Sequence, residues 1–329
     1  MVTMNHRSTL TLLGACGLLA MAGCGGNAGT PGSSAVTRPA VTGTIFTILF
    51  ENHDSGAVAG SATPYFVHLA ATYGSANAYQ GSVHPSLPNY IELTSGDIQG
   101  VHDDNDPSSH PLAGTANLGD QLDAANVPWR AYMEGMGSPC AMTSTGSYAV
   151  RHNPFVYYTS MSGDATRCAA RNVDFDANFA ADLAANTYRY MWITPNVVND
   201  MHDGTPEQSD AWLARVVPQI MASPGYQSGG AIFILFDEGS LNLSYLLGTP
   251  QNLAAIVISP KLVSPGFQSN TAYNHKSYLA TVEDILDLPR LATTMSATPM
   301  SDFFTSGSAG AGGVTTPTGT VSADGGTGP

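Results

Sequence analysis

Four short runs of apolar, β-branched and aromatic residues set the strongest limit on how this chain can fold. Each run has the length of a strand, and segments with helical periodicity separate them. Strands that are apolar on both faces are buried on both sides, as in a sheet covered by helices. The pattern predicts a layered α/β domain with a mostly parallel sheet, with candidate strands at residues 44–50, 190–194, 231–236 and 254–258.

The segments between and after these runs define the extent of the domain. Two stretches rich in Gly, Ser and Thr, residues 25–40 and 306–329, predict a flexible linker and a disordered tail. The folded domain is therefore expected at residues 41–305. Its predicted helices are residues 63–73, 87–94, 118–125, 174–185, 210–221 and 276–286.

The first residues of the chain have the features of an export signal. Arg7 precedes an apolar run, residues 10–21, which is too short to span a bilayer comfortably. Small residues then lead into Cys24, which resembles the site where bacterial lipoproteins are lipidated. An ordinary secretory signal with an incidental cysteine is the alternative. Residues 1–24 thus predict an exported protein that contacts a membrane only through a lipid on Cys24.

Two further cysteines, Cys140 and Cys168, lie within the predicted domain. An oxidising compartment would pair them, and closing that loop stabilises the fold by about 3–4 kcal/mol in the chain-entropy model. A metal site is the alternative, but isolated cysteines lack the usual CxxC spacing. The sequence therefore predicts a disulfide.

The charge of the chain limits its partners. It has 25 acidic residues against 11 Lys and Arg, which gives a formal net charge of -14. Binding along a nucleic-acid backbone requires a basic surface that neutralises phosphates. Nucleic acid is therefore excluded as the expected partner.

Polar clusters follow three of the four candidate strands. Residues 51–54 follow the first strand, residues 195–203 follow the second, and residues 237–239 follow the third. In open α/β sheets, ligands bind beyond the carboxyl ends of the strands. Three such clusters after buried strands indicate one shared site.

The acidic members of these clusters predict a metal site. Glu51, Asp237 and Glu238 would repel one another at the edge of the sheet, and the chain has only two lysines, Lys261 and Lys276. One divalent cation with oxygen ligands from Glu51, Asn52, Asp237 and Glu238 resolves the repulsion. A capped loop and a solvated turn are the alternatives for each cluster taken alone.

Ser86 is the candidate nucleophile because it stands just before a predicted helix. Helix N-termini present free backbone N–H groups that favour a phosphate, and a serine hydroxyl beside a cation can attack phosphorus. Asn89, one turn further on, is positioned to donate to a phosphoryl oxygen. The alternative for Ser86 is a plain N-cap, the commonest role of serine at this position.

Three histidines are candidates for contacts with substrate. His202, between Asp200 and Asp203, is the candidate general acid, with an ordinary loop histidine as its alternative. His152 follows Arg151 and is a candidate phosphate ligand. His275 begins a predicted helix, where a structural role and a substrate contact are equally plausible.

Eight short motifs, taken together and in this order, resemble the bacterial phosphoesterase family that contains acid phosphatases and phospholipases C. They are residues 51–53 (Glu-Asn-His), 84–90 (His-Pro-Ser-Leu-Pro-Asn-Tyr), 132–134 (Tyr-Met-Glu), 151–155 (Arg-His-Asn-Pro-Phe), 193–196 (Ile-Thr-Pro-Asn), 199–203 (Asn-Asp-Met-His-Asp), 236–238 (Phe-Asp-Glu) and 274–277 (Asn-His-Lys-Ser).

The resemblance implies an alkaline-phosphatase-like, three-layer α/β/α fold and a covalent phosphoserine intermediate on Ser86. It also implies that His202 contacts the phosphoryl or leaving-group oxygen, and that one metal ion lies among Glu51, Asn52, Ser86, Asp237 and Glu238. The function expected from it is a metal-dependent phosphomonoesterase acting on small phosphate esters or phosphoinositides. A phosphodiesterase of the phospholipase C type and a non-enzymatic surface lipoprotein that binds metal or phosphate are the alternatives.

Overall fold

The computed structural model describes residues 38–307. The predicted signal peptide with its lipidation site Cys24, most of the predicted linker and residues 308–329 of the predicted tail lie outside this range. Within it, no helix combines the length and the apolar character needed to cross a bilayer.

The centre of the fold is an eight-stranded mixed sheet. Its strand order is β11-β3-β10-β8-β2-β7-β5-β6, and the five strands from β8 to β6 are mutually parallel. β10 runs antiparallel to both of its neighbours. The described strands are β1 Arg38–Pro39, β2 Ile45–Phe50, β3 Gly74–Ala76, β4 Tyr79–Gln80, β5 Trp129–Met133, β6 Asn172–Asp174, β7 Tyr190–Thr194, β8 Ala231–Phe236, β9 Asn252–Leu253, β10 Ala255–Ile258, β11 Phe267–Ser269, β12 Tyr273–Asn274 and β13 Ser306–Gly307.

Helices cover both faces of this sheet. Among the described residues, α1 packs against α7 and α2 packs against α10. The α-helices are α1 Pro64–Thr72, α2 Ser86–Ser95, α3 Leu118–Ala124, α4 Thr159–Ser162, α5 Ala165–Arg171, α6 Phe175–Ala185, α7 Pro206–Ala222, α8 Pro224–Gln227, α9 Leu243–Leu246 and α10 His275–Ile285.

The alternation of side chains along β2 explains the three layers. Phe50 points to one face, where its ring meets Phe66 of α1 at 5.0 Å and Trp212 of α7 at 6.1 Å between centroids. Thr47 points to the other face, where its hydroxyl lies 2.6 Å from that of Tyr278 in α10. A strand that is apolar on both faces therefore sits between two helical layers. The predicted α/β/α architecture is confirmed.

The ends of the described chain pair with each other. β1 and β13 form a two-stranded antiparallel ladder, in which Arg38 lies opposite Gly307 and Pro39 opposite Ser306. This ladder adds a few residues on either side of the folded region 41–305 that the sequence predicts. Backbone pairing, rather than a hydrophobic pattern, fixes these residues, so composition alone places them in the linker and the tail.

The predicted disulfide between Cys140 and Cys168 is present, with 5.5 Å between the two Cα atoms. It ties the loop after β5 to α5. The backbone N–H of Cys140 also donates to the carbonyl of Asn172 in β6, so the crosslink and the sheet edge hold this loop together.

Candidate active site

Three adjacent strands deliver the polar clusters to one place. β8, β2 and β7 are neighbours in the sheet and run parallel, so their carboxyl ends lie side by side. Glu51 continues the alternation of Thr47, and Asp237 continues that of Phe233, whose ring packs on Tyr278 of α10. Both carboxylates are fully buried on the α2 and α10 face. The shared site that the sequence predicts is therefore assembled on one side of the sheet.

Ser86 is the first residue of α2 and does not cap it. The N-cap is Pro85, and no side chain makes a capping hydrogen bond there. Instead the Ser86 hydroxyl donates to Glu51 Oε2 at 2.9 Å and lies 3.4 Å from Glu238 Oε1. The plain N-cap interpretation of Ser86 is thus not the arrangement found, because its hydroxyl faces the carboxylates.

The N-terminus of α2 offers fewer free donors than the sequence suggests. The backbone N–H of Leu87 donates to Asp104 Oδ1 at 2.9 Å, and Pro88 has no backbone N–H to offer. The attraction for phosphate expected at this helix end is correspondingly smaller. Positive charge in the site must come from side chains or from a cation.

The three carboxylates fit a divalent cation. Glu51, Asp237 and Glu238 each place an oxygen within 4.8 Å of the others. Glu51 Oε1 and Asp237 Oδ2 are buried and have no hydrogen-bond partner among residues 38–307. Buried anionic oxygens without partners are costly, and hard oxygen donors are the ligands preferred by Mg²⁺, Ca²⁺ and Mn²⁺. Asn52 touches this group through its backbone N–H, which lies 3.3 Å from Asp237 Oδ1.

Burial and mutual repulsion raise the pKa values of these acids. Burial raises the pKa of Glu51 to about 7, with His152 opposing the shift and Asp200 and Glu238 adding to it. Burial, then the charges of Glu51 and Glu238, raise the pKa of Asp237 well above its usual range. Burial also raises the pKa of Glu238. Each shift marks a site that disfavours bare negative charge.

We expect the metal-free protein to lose stability as the pH rises from about 4.5 to about 7. Across this window Glu51, with its pKa raised from 4.5 to about 7, binds more protons folded than unfolded, so the free energy of unfolding falls. Asp237 and Glu238 act in the same direction, whereas His152, with its pKa lowered from 6.5 to about 4, opposes them. Urea unfolding with a chelator at several pH values measures this slope.

The same titration with a divalent cation present provides the control. A bound cation stabilises the charged carboxylates, so the fall in stability across that window should become shallow or disappear. A free energy of unfolding that rises with pH in the chelated protein would contradict the predicted acid cluster.

Histidines lie on the other side of Glu51. His152 Nε2 is 3.2 Å from Glu51 Oε1, but the two atoms do not meet in hydrogen-bond geometry. Its Nδ1 lies 3.1 Å from Asp200 Oδ2. Burial lowers the pKa of His152 to about 4, so the ring is neutral at pH 7. With a proton on Nδ1, its Nε2 is an acceptor facing the site.

His202 and Arg151 complete this side of the site. His202 Nδ1 is 2.7 Å from Asp203 Oδ1, and its Nε2 is 3.2 Å from Arg151 Nη2. Glu51, His152 and His202 form a second set of atoms close enough to hold a metal. The adjacent guanidinium opposes a second cation there and favours an anion instead. This side therefore suits a phosphoryl group.

Asn89 and His84 hold Glu238 in place. Asn89 Nδ2 donates to Glu238 Oε2 at 3.2 Å and to the carbonyl of Val83 at 2.7 Å. His84 Nδ1 lies 3.1 Å from the same Glu238 oxygen. Burial acts to lower the pKa of His84, but the contacts with Glu238 and Gln251 outweigh it and raise that pKa. The amide predicted to bind substrate is engaged in orienting a carboxylate.

His275 lies behind the site rather than in it. It is fully buried, with Nδ1 at 3.0 Å from the Tyr79 hydroxyl and Nε2 at 2.6 Å from the backbone carbonyl of Asp237. Both ring nitrogens thus have protein partners, and neither faces the carboxylate cluster. Of the two roles left open by the sequence, this geometry favours the structural one, in which His275 fixes the turn that carries Asp237.

The contacts of two further residues of the site cannot be predicted from the sequence. Asp200 appears in the sequence as a neighbour of His202, yet its side chain supports His152, 48 residues away. Asp104 lies in an aspartate-rich loop with no local signal, and it binds the start of α2 and lies 3.7 Å from Arg151. Only the order of strands and helices brings these partners together.

Comparison with known proteins places this arrangement among known folds. A crystal structure of an alkaline phosphatase superfamily protein from Vibrio parahaemolyticus matches with a TM-score of 0.56 at 11% identity, over 80% of this chain and 71% of that one. This likeness concerns the fold, and it agrees with the predicted alkaline-phosphatase-like architecture.

Two curated relatives are similar in sequence. A probable acid phosphatase of Kluyveromyces lactis is 28% identical over 258 residues, covering 75% of this chain and 59% of that protein. A phosphatidylinositol-3-phosphatase of Mycobacterium tuberculosis is 26% identical over 264 residues, covering 79% and 82%. This chain therefore spans little more than half of the yeast relative's length.

The sequence profile of the Phosphoesterase family matches residues 51–289, which is more than half of the 329-residue chain. The match begins at Glu51 and includes Ser86, His152, His202, Asp237 and Glu238. The chain belongs to the Phosphoesterase family.

Proposed function

We propose that this chain is an exported, metal-dependent phosphomonoesterase that uses Ser86 as its nucleophile. The observation that carries the proposal is the contact of the Ser86 hydroxyl with Glu51 Oε2 at 2.9 Å, beside Asp237 and Glu238. The names of the acid phosphatase and phosphatidylinositol-3-phosphatase relatives support a phosphate monoester as substrate. Export and the lipid on Cys24 stay predictions from the leader sequence.

The metal would be held by Glu51, Asp237 and Glu238, with Asn52 as the further predicted ligand. When bound, such a cation stabilises the alkoxide form of serine and neutralises phosphoryl charge. Three acids for one divalent ion leave a net negative charge. The cationic guanidinium of Arg151 on the opposite side of Glu51 therefore matters for holding an anionic substrate.

The residues of the chain then divide the work of the reaction. Ser86 Oγ transfers its proton to Glu51 Oε2 and forms a bond to phosphorus, while the bond from phosphorus to the leaving oxygen breaks. The Arg151 guanidinium donates to the phosphoryl oxygens, and His152 Nε2, as an acceptor, takes a hydrogen bond from a protonated phosphoryl oxygen. In its protonated form, with Nε2 turned from Arg151 to the leaving oxygen, His202 supplies the proton that this oxygen needs, and water later hydrolyses the phosphoserine.

A substrate comparison tests the class of reaction. We expect the purified chain to hydrolyse p-nitrophenyl phosphate and other monoesters with a kcat/KM at least about a hundredfold above that for a phosphatidylcholine diester. A preference for the diester would instead support the phospholipase C type of function. Binding of a cation or of phosphate without any turnover would support the non-enzymatic alternative.

The role of His202 as proton donor has its own test. We expect His202→Gln to lower kcat/KM by about 10²–10⁴-fold for an alkyl phosphate, whose leaving oxygen needs a proton. The loss should be much smaller for p-nitrophenyl phosphate, whose leaving group departs as an anion. Steady-state kinetics on the two substrates measures this difference.

Equal losses on both substrates would contradict a proton donor and indicate that His202 only contacts the phosphoryl group. His110 supplies a matched control, because it is another histidine that pairs with an aspartate. Its Nε2 lies 2.5 Å from Asp103 Oδ1. We expect His110→Gln to change neither rate appreciably.

A further inference from the structure

A leucine-rich loop borders the candidate active site. Residues 239–251, which we call the rim loop, directly follow Glu238 and contain no charged residue. Its four leucines are 63–76% exposed, whereas Met295 is the only other large hydrophobic residue among residues 38–307 that is more than half exposed. The leucines are Leu241, Leu243, Leu246 and Leu247.

Hydrogen bonds hold in place the loop that carries these exposed leucines. Its two ends are joined by a hydrogen bond from Gln251 Nε2 to the carbonyl of Ser240 at 2.5 Å. Asn242 caps α9 by accepting from the backbone N–H of Tyr245, and its Nδ2 lies 3.4 Å from Asp54 Oδ2. Polar contacts thus fix the base of the rim loop, while its apolar side chains remain outside.

The helical spacing within the rim loop separates two faces. Leu243, Leu246 and Leu247 stand at positions i, i+3 and i+4 of α9 and its end, so they share one face. Tyr245 lies off this face and packs edge-on against the ring of His84, with 4.4 Å between centroids. Since His84 also contacts Glu238, the outer leucine face is connected to the site through two side chains.

We propose that this leucine face docks on a neutral, zwitterionic lipid surface and thereby presents membrane phosphate esters to the active site. Contiguous exposed apolar side chains mark interaction sites, and a short amphipathic helix with leucines on one face can bury them at a lipid interface. The part that concerns lipid substrates rests on the proposed phosphatase function.

The net charge of the chain indicates which kind of lipid surface the leucine face can approach. The chain carries a formal net charge of -14, which opposes approach to a strongly anionic bilayer. The uncharged rim loop has no such conflict with a zwitterionic one. A second copy of the chain is a poorer occupant, because four leucines offer roughly a few hundred Å², below the about 800 Å² per partner of a stable interface.

Vesicle binding without substrate tests the docking itself. The full-length chain is compared in a Cys24→Ser background, so that a lipid on that residue cannot contribute. We expect co-sedimentation with phosphatidylcholine vesicles, and an apparent Kd at least about tenfold weaker in the triple variant Leu243→Ser, Leu246→Ser and Leu247→Ser. The matched control, Met295→Ser, removes an equally exposed hydrophobic side chain elsewhere and should bind like the parent.

The proposal is overturned if the parent protein does not bind the vesicles, or if the triple variant binds them equally well. A parent that does not bind vesicles but forms a dimer in sedimentation velocity, with that dimer absent in the triple variant, would assign the face to a second copy. Anionic lipid added to the vesicles should weaken binding, and a strong increase would indicate charge-driven adsorption instead.

Activity measurements separate this inference from the proposed function. With a small fraction of phosphatidic acid in the vesicles, the triple variant should lose at least about tenfold in hydrolysis of the lipid monoester, while p-nitrophenyl phosphate hydrolysis stays within about twofold. If neither substrate is hydrolysed but the parent binds vesicles, the proposed function fails and the docking surface stands. If p-nitrophenyl phosphate is hydrolysed without vesicle binding, only the docking surface fails.

Discussion

Replacement of Ser86 by alanine should lower kcat for p-nitrophenyl phosphate by about 10⁴-fold or more, because the alanine has no hydroxyl with which to form the phosphoserine. The fold should survive, since Ser86 makes no capping hydrogen bond and the rest of α2 is buried on all sides. Metal content should also persist, because the three carboxylates remain. Phosphate release, circular dichroism and elemental analysis of one preparation measure these three properties.

A second serine at a helix start separates catalysis from capping. Ser223 is the N-cap of α8 and accepts from the backbone N–H of Tyr226 at 3.3 Å. We expect Ser223→Ala to lower the free energy of unfolding by about 1 kcal/mol and to leave activity intact. Retained turnover in Ser86→Ala, or trapping of phosphate on another residue, would refute the serine route.

Replacement of Asp237 by asparagine should remove the metal and lower kcat/KM at least about 10³-fold. The substitution keeps the shape of a fully buried side chain whose Oδ2 has no partner among the described residues. It also removes one of three repelling charges, so the metal-free variant should be at least as stable as the metal-free parent. Thermal unfolding with and without a chelator measures metal binding and stability, and steady-state kinetics measures the loss of kcat/KM.

Chelation should lower the Tm of the parent, and this shift in Tm should be lost in Asp237→Asn. The parent should gain roughly 2.7 kcal/mol at a metal concentration a hundred times Kd, and Asp237→Asn should gain little. Asp210 provides the control, because it is also buried but binds the backbone N–H groups of Tyr65 and Phe66 at the start of α1. Asp210→Asn should reduce stability and keep the metal; a metal retained by Asp237→Asn would contradict the ligand set.

The sheet and the strand ends were predictable because their signal is local. Runs that are apolar on both faces fix the central strands, and the predicted helices correspond to α1, α2, α3, α6, α7 and α10 within a few residues. The sequence does not indicate β5, because Arg130 interrupts its apolar pattern, and the Arg130 side chain pairs with Asp182. β6 and β11 have three residues each, too few for a periodicity to register.

The contacts within the site were less predictable because they join distant parts of the chain. A serine before a helix has the same local pattern whether it caps or reacts, and only the position of Glu51, 35 residues earlier, decides where its hydroxyl points. The same holds for His275, whose partners come from β4 and from the end of β8. The exposure of the leucines in the rim loop cannot be predicted either, because exposed and buried leucines look alike in sequence.

The separation of these residues along the chain has a consequence for biogenesis. Ser86 and Glu238 lie 152 positions apart and meet only after β8 has joined β2 beside α2. A polypeptide still emerging, or one that has lost its later half, has no assembled cluster with which to capture a cation. Hydrolytic activity would then appear only when folding is complete. Nascent chains would therefore not hydrolyse phosphate esters during their synthesis.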